Sequence, residues 1–498
     1  MVPISQLTEK ATLFKSNSTS PLKKKDWNQH FTPVEICELM MKRIPISDAG
    51  TVVDLSVGKG ELLWHARTKW PACRVIGFDI DQELVDHCNN RFNGYGTFKC
   101  FDTLRTNLPD ILEALNSNSH SRPINLALSN PPFGITKAEE LAPDLLDTLL
   151  THNLLWGDDN GMSRVLIETA FFLRNLELID NGGYVAILLP EGVISGVKTE
   201  SFRRFLLKYT QVRFVLSLPI NSFDSSEARI SLVITQKNAS KIGRPPKIQL
   251  GSINDTIESI QTVDISQKEL ISRMDPRYHI RMAYLQKMGN NFEPLGNRLD
   301  SCTRGHGFYG KERNLLIHDG SLEYIHSTDI RDFIVKKSSR RLIVHSKVGK
   351  KYRKALIRKG NILLVRVGKG CAGRCAIVTR QRNAFASDCL YVLSTKLIDS
   401  YYLCLYLNTI FAKEYFDACT RGVCSRYITK ADLIAMPLYL PEKKIIKRLS
   451  KSLRDVLGLK KSSRVSEAKL TNALALVNEL DTLINEAIKS GDCTDDPS

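Results

Sequence analysis

Short runs rich in Val, Ile, Leu and Phe alternate with longer stretches of helical periodicity over residues 26–245, and this alternation leaves few possible folds. A short, continuously apolar run is typical of a strand that is buried on both faces of a parallel sheet. Strands separated by helices join a largely parallel sheet with helices on both faces. The sequence therefore predicts an α/β fold, with strands over 51–55, 74–79, 124–128, 183–189, 212–218 and 230–236 and a helix over 163–179.

The 498 residues are enough for about three domains at roughly 150 residues each. Residues 1–25 are polar, with three lysines at 23–25, and are expected to form a flexible leader. Pro245 and Pro246 cannot continue a helix or a central strand, so they mark the end of the first domain at about residue 245. Beyond it we expect a connecting segment over 246–289, a mixed α+β domain rich in short strands and glycine turns over 290–440, and helices over 441–490.

The positive charge of the chain is concentrated in one segment. Seventy Lys and Arg against 53 Asp and Glu give a net charge of +17, which indicates a polyanionic partner. Residues 331–382 contain seventeen basic residues and one acid, Asp332, and so carry +16. A solvated surface is one interpretation, but the charges interrupt strand-like runs and glycine turns, which favours contact with nucleic-acid phosphates. The candidate phosphate-binding residues are Lys347, Lys350, Lys351, Arg353, Lys354, Arg358, Lys359, Arg366, Lys369 and Arg374.

Composition excludes several classes of protein. With 43% hydrophobic and 25% charged residues, the chain is typical of a soluble globular protein rather than a disordered or fibrous one. Its apolar runs fall short of the roughly 18–20 residues that span a bilayer, and we expect a cytoplasmic protein without membrane association. The twelve cysteines are irregularly spaced, which favours reduced thiols over a disulfide framework. Cys371 and Cys375 approach zinc-ligand spacing, as do Cys419 and Cys424, but no histidine completes the first pair, so we expect no metal.

A strand, a turn with two glycines and the start of a helix follow one another at residues 52–63. Gly58 and Gly60 let the backbone approach a ligand at the carboxyl edge of the sheet, where open α/β folds bind nucleotides. A dinucleotide site would have a third glycine in place of Leu63, and the P-loop motif is absent. Asp54, at the end of the strand, suits a cationic ligand. S-adenosylmethionine is such a ligand, because it carries an ammonium and a sulfonium but no phosphate.

Two further acids end the next strand-like runs. Asp79 closes the run over 74–79 and can accept hydrogen bonds from both ribose hydroxyls of a nucleoside cofactor. Asp102 follows the next transition from apolar to polar residues and could accept a hydrogen bond from an adenine amino group. A single acid at a strand end is more often a helix cap or a turn former. Three acids at successive strand ends favour a cofactor site.

The most specific pattern in the chain is a proline turn at residues 129–134, directly after an apolar run. Pro131 and Pro132 have fixed φ and donate no hydrogen bond, and a residue before proline is held extended, so the turn is stiff and presents acceptors. The side-chain oxygen of Asn130 and a backbone carbonyl can both accept from an exocyclic amine, which frees the nitrogen lone pair for attack. Phe133 offers a flat face on which an extruded base can stack. These four residues, Asn130 to Phe133, are the candidate catalytic residues.

Together these motifs resemble an N6-adenine DNA methyltransferase of the kind found in the modification subunits of type I restriction systems and their single-chain relatives. Phe31, Thr32 and Pro33 are similar to the family's Thr-Pro segment beside the methionine end of the cofactor. The resemblance implies an S-adenosylmethionine-dependent methyltransferase sheet of Rossmann-like type in a prokaryotic cytoplasm. It implies cofactor-binding roles for Phe31, Thr32, Pro33, Asp54, Gly58, Gly60, Asp79, Asp102 and Asn130, and a catalytic role for Asn130 to Phe133. The chain departs from the family's glycine motif at Leu55, in place of proline, and at Glu61, in place of the final glycine.

The second half of the chain is similar to one target recognition domain of a type I specificity subunit, at Gly360 to Leu363 and at Tyr427 to Thr429 among other segments. This resemblance implies duplex DNA as the partner of the basic segment. The apolar residues at 470, 473, 477, 480 and 483 form one face of a C-terminal helix, through which a second copy or a specificity or restriction subunit could bind.

The sequence therefore predicts a site-specific methyltransferase that transfers a methyl group from S-adenosylmethionine to N6 of a flipped adenine in duplex DNA, in a restriction-modification or related system. Methylation of adenine in RNA or of glutamine in proteins uses the same tetrapeptide and stays open at this point. So does a third alternative, a DNA-binding specificity component whose methyltransferase fold is degenerate.

Overall fold

The computed structural model describes residues 31–491 except 117–122, 158–160, 220–221, 224–228, 239–247, 254–259, 287, 289–290, 318–321, 332, 339–340, 343–352, 369, 423–425 and 459–466. The chain divides into two compact units, which meet in sequence between Ile280 and Arg281. The leader expected over 1–25 lies outside the described residues.

The first unit contains a sheet of nine strands within the described residues, in the spatial order β12-β11-β9-β10-β8-β4-β1-β2-β3. Strands β10 and β12 run antiparallel to their neighbours, and the remaining pairings are parallel. The predicted largely parallel sheet is confirmed. The strands of this unit are β1 (Thr51–Asp54), β2 (Arg74–Asp79), β3 (Gly96–Cys100), β4 (Ile124–Ser129), β5 (Ile135–Lys137), β6 (Trp156–Gly157), β7 (Ser163–Leu166), β8 (Tyr184–Pro190), β9 (Thr210–Ser217), β10 (Ile230–Lys237), β11 (Ile248–Ile253) and β12 (Ile260–Ile265).

Helices cover both faces of the sheet because successive strand residues point to opposite sides. Val53 belongs to the core on one face, while its neighbour Val52 belongs to the core on the other. Both side chains are fully buried, which accounts for the continuously apolar strand sequences. The helices are α1 (Val34–Arg43), α2 (Glu61–Lys69), α3 (Gln82–Phe92), α4 (Leu108–Asn116), α5 (Pro143–Thr151), α6 (Ile167–Leu178), α7 (Glu191–Ser195), α8 (Glu200–Tyr209), α9 (Gln267–Ser272) and α10 (Pro276–Leu285).

Two predictions for this unit were wrong. The segment over 246–289 is not only a connector, since β11 pairs in parallel with β9 and β12 pairs with β11. A pair of prolines ends one element, but it does not prevent the chain from re-entering the same sheet. The first residues of the helix predicted over 163–179 instead form β7, which pairs with β5 and β6 in a small antiparallel sheet. The pairing with β5 joins Ile135 to Leu166, 31 positions later in the chain, and local periodicity does not report such a contact.

The second unit is built from short strands and helices, as the glycine-rich sequence predicts. Its largest sheet has the order β14-β23-β20-β21-β18-β17, and a smaller one has the order β15-β19-β16-β22. β13 pairs with β24. The strands are β13 (Phe292–Pro294), β14 (Ser301–Arg304), β15 (Leu316–Ile317), β16 (Leu322–Ile325), β17 (Ile330–Arg331), β18 (Phe333–Val335), β19 (Arg341–Leu342), β20 (Ile362–Val365), β21 (Cys375–Ile377), β22 (Ala384–Ala386), β23 (Leu390–Ser394) and β24 (Pro437–Tyr439).

The C-terminal helices belong to this second unit rather than standing apart from it. Within the last helix Ala473, Val477 and Leu480 are buried, as is Ile484 one turn further on, whereas Leu483 is only half-buried. Asp481 of the same helix accepts the backbone N–H groups of Ile410 and Phe411, at 2.8 and 3.1 Å. The helices of this unit are α11 (Ser400–Tyr406), α12 (Ile410–Cys419), α13 (Lys430–Ala435), α14 (Lys443–Gly458) and α15 (Glu467–Gly491).

No helix in the described part of the chain has the length and apolar character needed to cross a membrane. No group of three or more Cys, His, Asp or Glu side chains there is arranged to hold a metal ion.

Candidate active site

A cleft of ≈ 270 Å³ opens at the carboxyl ends of β1, β2 and β4, where the three predicted motifs meet. The glycine turn, the acids that follow the strands and the proline turn all contribute side chains to its walls. A smaller recess shares Phe31, Gly58 and Asn130 with this cleft and adds Thr32 and Asp54. The structure thus brings residues from five separate segments of sequence to one edge of the sheet. The residues that line the cleft include Phe31, Leu55, Gly58, Asp79, Asp102, Arg105, Asn130, Pro131, Pro132 and Phe133.

The glycine turn joins β1 to α2, and its conformation requires glycine. Gly60, the residue before α2, has φ of +80°. A Cβ atom there would lie 3.0 Å from the ring of Phe92 and 3.1 Å from Sγ of Cys88, so α3 also leaves no room for a side chain. The turn is therefore held tightly between the sheet edge and α3.

Asp79 at the end of β2 holds this turn through its carboxylate. Oδ2 accepts the N–H of Gly58 at 2.9 Å, and Oδ1 accepts the N–H of Asp81 at 3.0 Å. Burial raises the pKa of Asp79, although these two hydrogen bonds act in the opposite direction. The side chain is 7% exposed and still borders the cleft, so it can reach a ligand there.

Asp54 is one of the residues that line the smaller recess. It is 2% exposed, and its Oδ1 accepts the N–H of Ser56 at 3.0 Å. Burial raises the pKa of this carboxyl to about 7, and the charge of Asp79 acts in the same direction. A buried carboxylate without a cation beside it is costly, so a bound cation would be favourable here.

Glu61, which departs from the family's glycine motif, lines the smaller recess and also has a structural role. Its carboxylate accepts two hydrogen bonds from Arg91 of α3, at 2.7 and 3.0 Å. Arg91 also donates to the carbonyl oxygen of Lys59 at 3.0 Å. The ammonium of Lys59 in turn lies 4.3 Å from the ring centroid of Phe31. Glu61 therefore connects the glycine turn to α3 through Arg91, in a way that glycine could not.

The proline turn begins with Asn130 and is fixed from two sides. Nδ2 of Asn130 donates to Oγ1 of Thr32 at 2.9 Å, across 98 positions of sequence. Pro131 is buried, while Phe133 is half-buried at the cleft wall. The contact with Thr32 orients the amide of Asn130, and it explains why a Thr-Pro segment accompanies this turn.

Glu168 fixes the other end of the turn and was missed by sequence reasoning. Its Oε2 accepts the N–H of Gly134, next to Phe133, at 3.2 Å. The side chain is 2% exposed, and burial raises the pKa of this carboxyl to about 7. Its only signal in the sequence is a single acid at the start of the apolar helix α6, which resembles an ordinary acid in a first helical turn.

Asp102 lies at the cleft, but its carboxylate also stabilises its own turn. Oδ1 accepts the N–H groups of Leu104 and Arg105, both at 3.1 Å, and Oδ2 accepts from the guanidinium of Arg105 at 3.0 Å. Asp102 therefore acts as a turn former in the structure, as a single acid at a strand end often does. Its expected contact with a cofactor adenine stays a prediction.

The ten candidate phosphate-binding residues are only partly described. Lys354, Arg358, Lys359 and Arg374 are exposed. Arg366 is half-buried and donates to the carbonyl oxygen of Asp388 at 3.0 Å. Four of the others lie outside the described residues: Lys347, Lys350, Lys351 and Lys369. The side chain of Arg353 is also not described.

Comparison with known proteins identifies the family. Residues 16–279, more than half of the chain, match the family model described as N-6 DNA Methylase. The chain belongs to the N-6 DNA methylase family. The match spans the glycine turn, the acids that end β1 and β2, and the proline turn, and so covers the whole cleft of this N-6 DNA methylase.

Similar proteins extend this finding. The chain is 24% identical over 268 residues to the type I restriction enzyme MpnII methylase subunit of Mycoplasma pneumoniae, a match that covers 50% of this chain and 47% of that protein. It thus spans about half the length of this curated relative. Among solved structures, the type IIL restriction-modification enzyme MmeI in complex with DNA has a TM-score of 0.51 at 11% identity, over 93% of this chain and 71% of that one. The type IIG restriction endonuclease BpuSI has a TM-score of 0.47 at 13% identity, over 93% and 67%.

Proposed function

We propose that this N-6 DNA methylase transfers a methyl group from S-adenosylmethionine to N6 of an adenine that is flipped out of a specific duplex DNA sequence, as part of a restriction-modification or related system. The observation that carries the proposal is that the Asn-Pro-Pro-Phe turn and Asp79 line one cleft, while Asp54 lines a recess that shares Phe31, Gly58 and Asn130 with that cleft. An amine bound at the turn and a cofactor bound along the acids would therefore be neighbours.

The residues of the cleft fit S-adenosylmethionine. The buried carboxyl of Asp54 suits the cationic methionine end, beside Thr32 and Asn130. Asp79 would accept from the ribose hydroxyls, and Asp102 would lie beside the adenine. The cofactor supplies a methyl group activated by the sulfonium. The residues of this chain supply its position and orientation.

The proline turn would prepare the adenine for attack by hydrogen bonding. The oxygen of the Asn130 amide and the carbonyl of Pro131 would accept from the N6 amino group and localise the nitrogen lone pair. Phe133 would stack on the extruded ring. The reaction is a direct displacement at the methyl carbon, so rate enhancement would come from positioning and electrostatics rather than from a covalent intermediate.

We expect cofactor affinity to depend on pH through Asp54. Because burial raises the pKa of this carboxyl to about 7, it is protonated below that pH, and a bound cation must displace the proton. Affinity for S-adenosylmethionine should rise with pH up to about 7, by at most about tenfold per unit, and level off above. Calorimetry from pH 5.5 to 8.5 measures the affinity. Repeating it in two buffers of different ionisation enthalpy gives the number of protons that Asp54 releases when the cofactor binds. An affinity that is constant from pH 5.5 to 7 would contradict it, and Asp54→Asn should remove the dependence.

The contact between Glu61 and Arg91 should support cofactor affinity without affecting the chemical step. Glu61→Ala or Arg91→Ala should weaken S-adenosylmethionine binding about two- to fivefold, since the pair is partly exposed and holds the turn only indirectly. The double variant should be no weaker than Arg91→Ala, because the two side chains act as one unit. The exchange of the two residues, Glu61→Arg with Arg91→Glu, should recover only part of the affinity. It restores the ion pair, but the carbonyl oxygen of Lys59 no longer has the guanidinium of Arg91 as its donor. Additive single effects would show that the two residues act separately.

The second unit supports duplex DNA as the substrate. Its exposed arginines and lysines suit a polyanion, and the fold that the chain shares with MmeI extends over both units. Partners that bind through α15 would have to use side chains other than its buried face, because Ala473, Val477 and Leu480 are already packed within the unit.

A competition assay tests the substrate class directly. The full chain with radiolabelled S-adenosylmethionine is offered duplex DNA, structured RNA and a protein extract in equal mass, and label is counted in each fraction. We expect label in the DNA alone. Label in the RNA or protein fraction would show that the chain methylates that substrate by the same chemistry. If calorimetry detected no cofactor binding, the chain would instead be a DNA-binding specificity component whose methyltransferase fold is degenerate.

A further inference from the structure

A second cavity, of ≈ 780 Å³, lies wholly within the second unit and is not part of the methyltransferase cleft. Gly368 and the glycine-rich residues 370–373 line the cavity together with residues of α12 and α15. Half-buried Leu470 and exposed Leu474 of α15 give the cavity an apolar edge. We refer to this cavity as the basic groove, after the four cationic residues that line it, Arg331, Arg374, Lys413 and Arg426.

These cations come from four different parts of the unit. Arg331 ends β17, Arg374 precedes β21, Lys413 lies on α12, and Arg426 follows α12 along the chain. Asp417 is the carboxylate among the lining residues, and it pairs with Arg426 at 3.5 Å. Within the described residues Arg331, Arg374 and Lys413 are exposed and make no ion pair, which leaves an excess positive charge in a concave surface. Such a surface concentrates positive potential.

The backbone beside the groove supports a binding role. Phe333, the first residue of β18, has φ of +66°, a conformation that residues other than glycine rarely adopt. Such strain persists where the surrounding structure enforces it, and it is concentrated at binding sites. Gly368, Gly370 and Gly373 leave backbone rather than bulky side chains at the groove wall, so an extended ligand could approach closely.

We propose that the basic groove binds the sugar-phosphate backbone of duplex DNA and thereby sets the position of the recognition unit on its target. This inference rests on the proposed function, that DNA is the substrate. Duplex DNA is favoured over a single small anion because the four cations come from separate segments of the chain and line a cavity of ≈ 780 Å³, far larger than one small anion needs. Lys413 and Arg426 lie outside the segment 331–382, so the fold extends the phosphate-binding surface beyond the charge run in the sequence.

The experiment measures duplex binding by the full chain as a function of salt. Each lost phosphate contact lowers the slope of log K against log salt by about 0.9, so Arg331→Ala with Arg374→Ala should lower it by about 1.8 and weaken binding at least tenfold at 0.2 M salt. Arg331→Lys with Arg374→Lys keeps the charge and should keep most of the slope. Lys443→Ala with Lys447→Ala removes two exposed cations from α14 of the same unit and should leave the slope unchanged. Thermal unfolding and S-adenosylmethionine affinity should stay as in the wild type for all variants.

The outcomes separate this inference from the proposed function. If the wild-type protein binds and methylates DNA, but Arg331→Ala with Arg374→Ala keeps the wild-type salt slope, the inference about the groove is wrong and the proposed function stands. A wild-type protein that neither binds nor methylates DNA would overturn the proposed function and the groove with it. Poly-glutamate is tested in parallel as an acidic polypeptide. If the groove variant lost binding to poly-glutamate and kept DNA binding, the groove would serve a protein partner and the inference would be wrong.

Discussion

Replacement of Asn130 by alanine should lower kcat for DNA methylation on the order of 10²–10³-fold, because the turn then loses the side-chain acceptor for the target amine. Removal of one preorganised hydrogen-bonding group from a reacting centre typically has an effect of this size. The turn itself should survive, since Glu168 still holds the N–H of Gly134. Single-turnover rates with saturating DNA and S-adenosylmethionine measure the loss.

Two controls separate chemistry from folding. DNA affinity of Asn130→Ala should stay within a few fold of the wild type, since the proposed phosphate contacts lie in the second unit. Thr32→Ala removes the partner of the Asn130 amide but leaves the amide itself, so it should have a smaller effect on kcat. A single-turnover rate for Asn130→Ala within threefold of the wild type would remove Asn130 from the catalytic site.

Replacement of Asp79 by alanine should weaken S-adenosylmethionine binding by about 10- to 100-fold. The variant loses the proposed acceptor of the ribose hydroxyls, and it leaves the N–H of Gly58 without the carboxylate that holds the glycine turn. A hydrogen bond to a charged group contributes about 1.5–3 kcal/mol, which corresponds to this range. Calorimetric titration with S-adenosylmethionine measures the loss directly.

The matched control is Asp86→Ala, which removes an exposed carboxylate from α3 at a distance from the cleft lining. It should bind S-adenosylmethionine as the wild type does. Asp79→Asn keeps one oxygen acceptor and should lie between the wild type and Asp79→Ala. Equal cofactor affinity in Asp79→Ala and the wild type would exclude the carboxylate from the binding site.

Local patterns were sufficient to predict the elements of the cleft. The glycine turn, the acids that end β1 and β2 and the proline turn each lie within a few residues of a strand end, and parallel strands bring their carboxyl ends to one edge. The cleft could therefore be assembled from the sequence once the strands were assigned. The expectation of a largely parallel sheet had the same basis, since Val52 and Val53 already require a strand that is buried on both faces.

Contacts that hold the cleft together from a distance could not be predicted in this way. Thr32 reaches Asn130 across 98 positions, and Glu168 reaches Gly134 across 34. Glu61 could be recognised as a departure from a motif, but its partner Arg91 lies on the next helix. In each case the pairing depends on how helices and strands pack, which no short pattern encodes.

The boundaries of the first unit were misjudged for a related reason. Pro245 and Pro246 predict an interruption of local structure, whereas the edge of a unit depends on where the chain next finds a partner. Leu250 of β11 is fully buried beside β9, so the sheet continues past the prolines. The same holds for the last helix, whose apolar face packs within its own unit.

The most direct test of the account is the identity of the methylated product. Duplex DNA incubated with the full chain and S-adenosylmethionine is digested to nucleosides and analysed by mass spectrometry, and sequencing of the intact DNA locates the modified positions. We expect 6-methyladenine as the product, confined to one short sequence and absent when Asn130 is alanine. DNA that remains unmodified, or that carries its methyl group on a ring carbon such as that of 5-methylcytosine, would contradict the account.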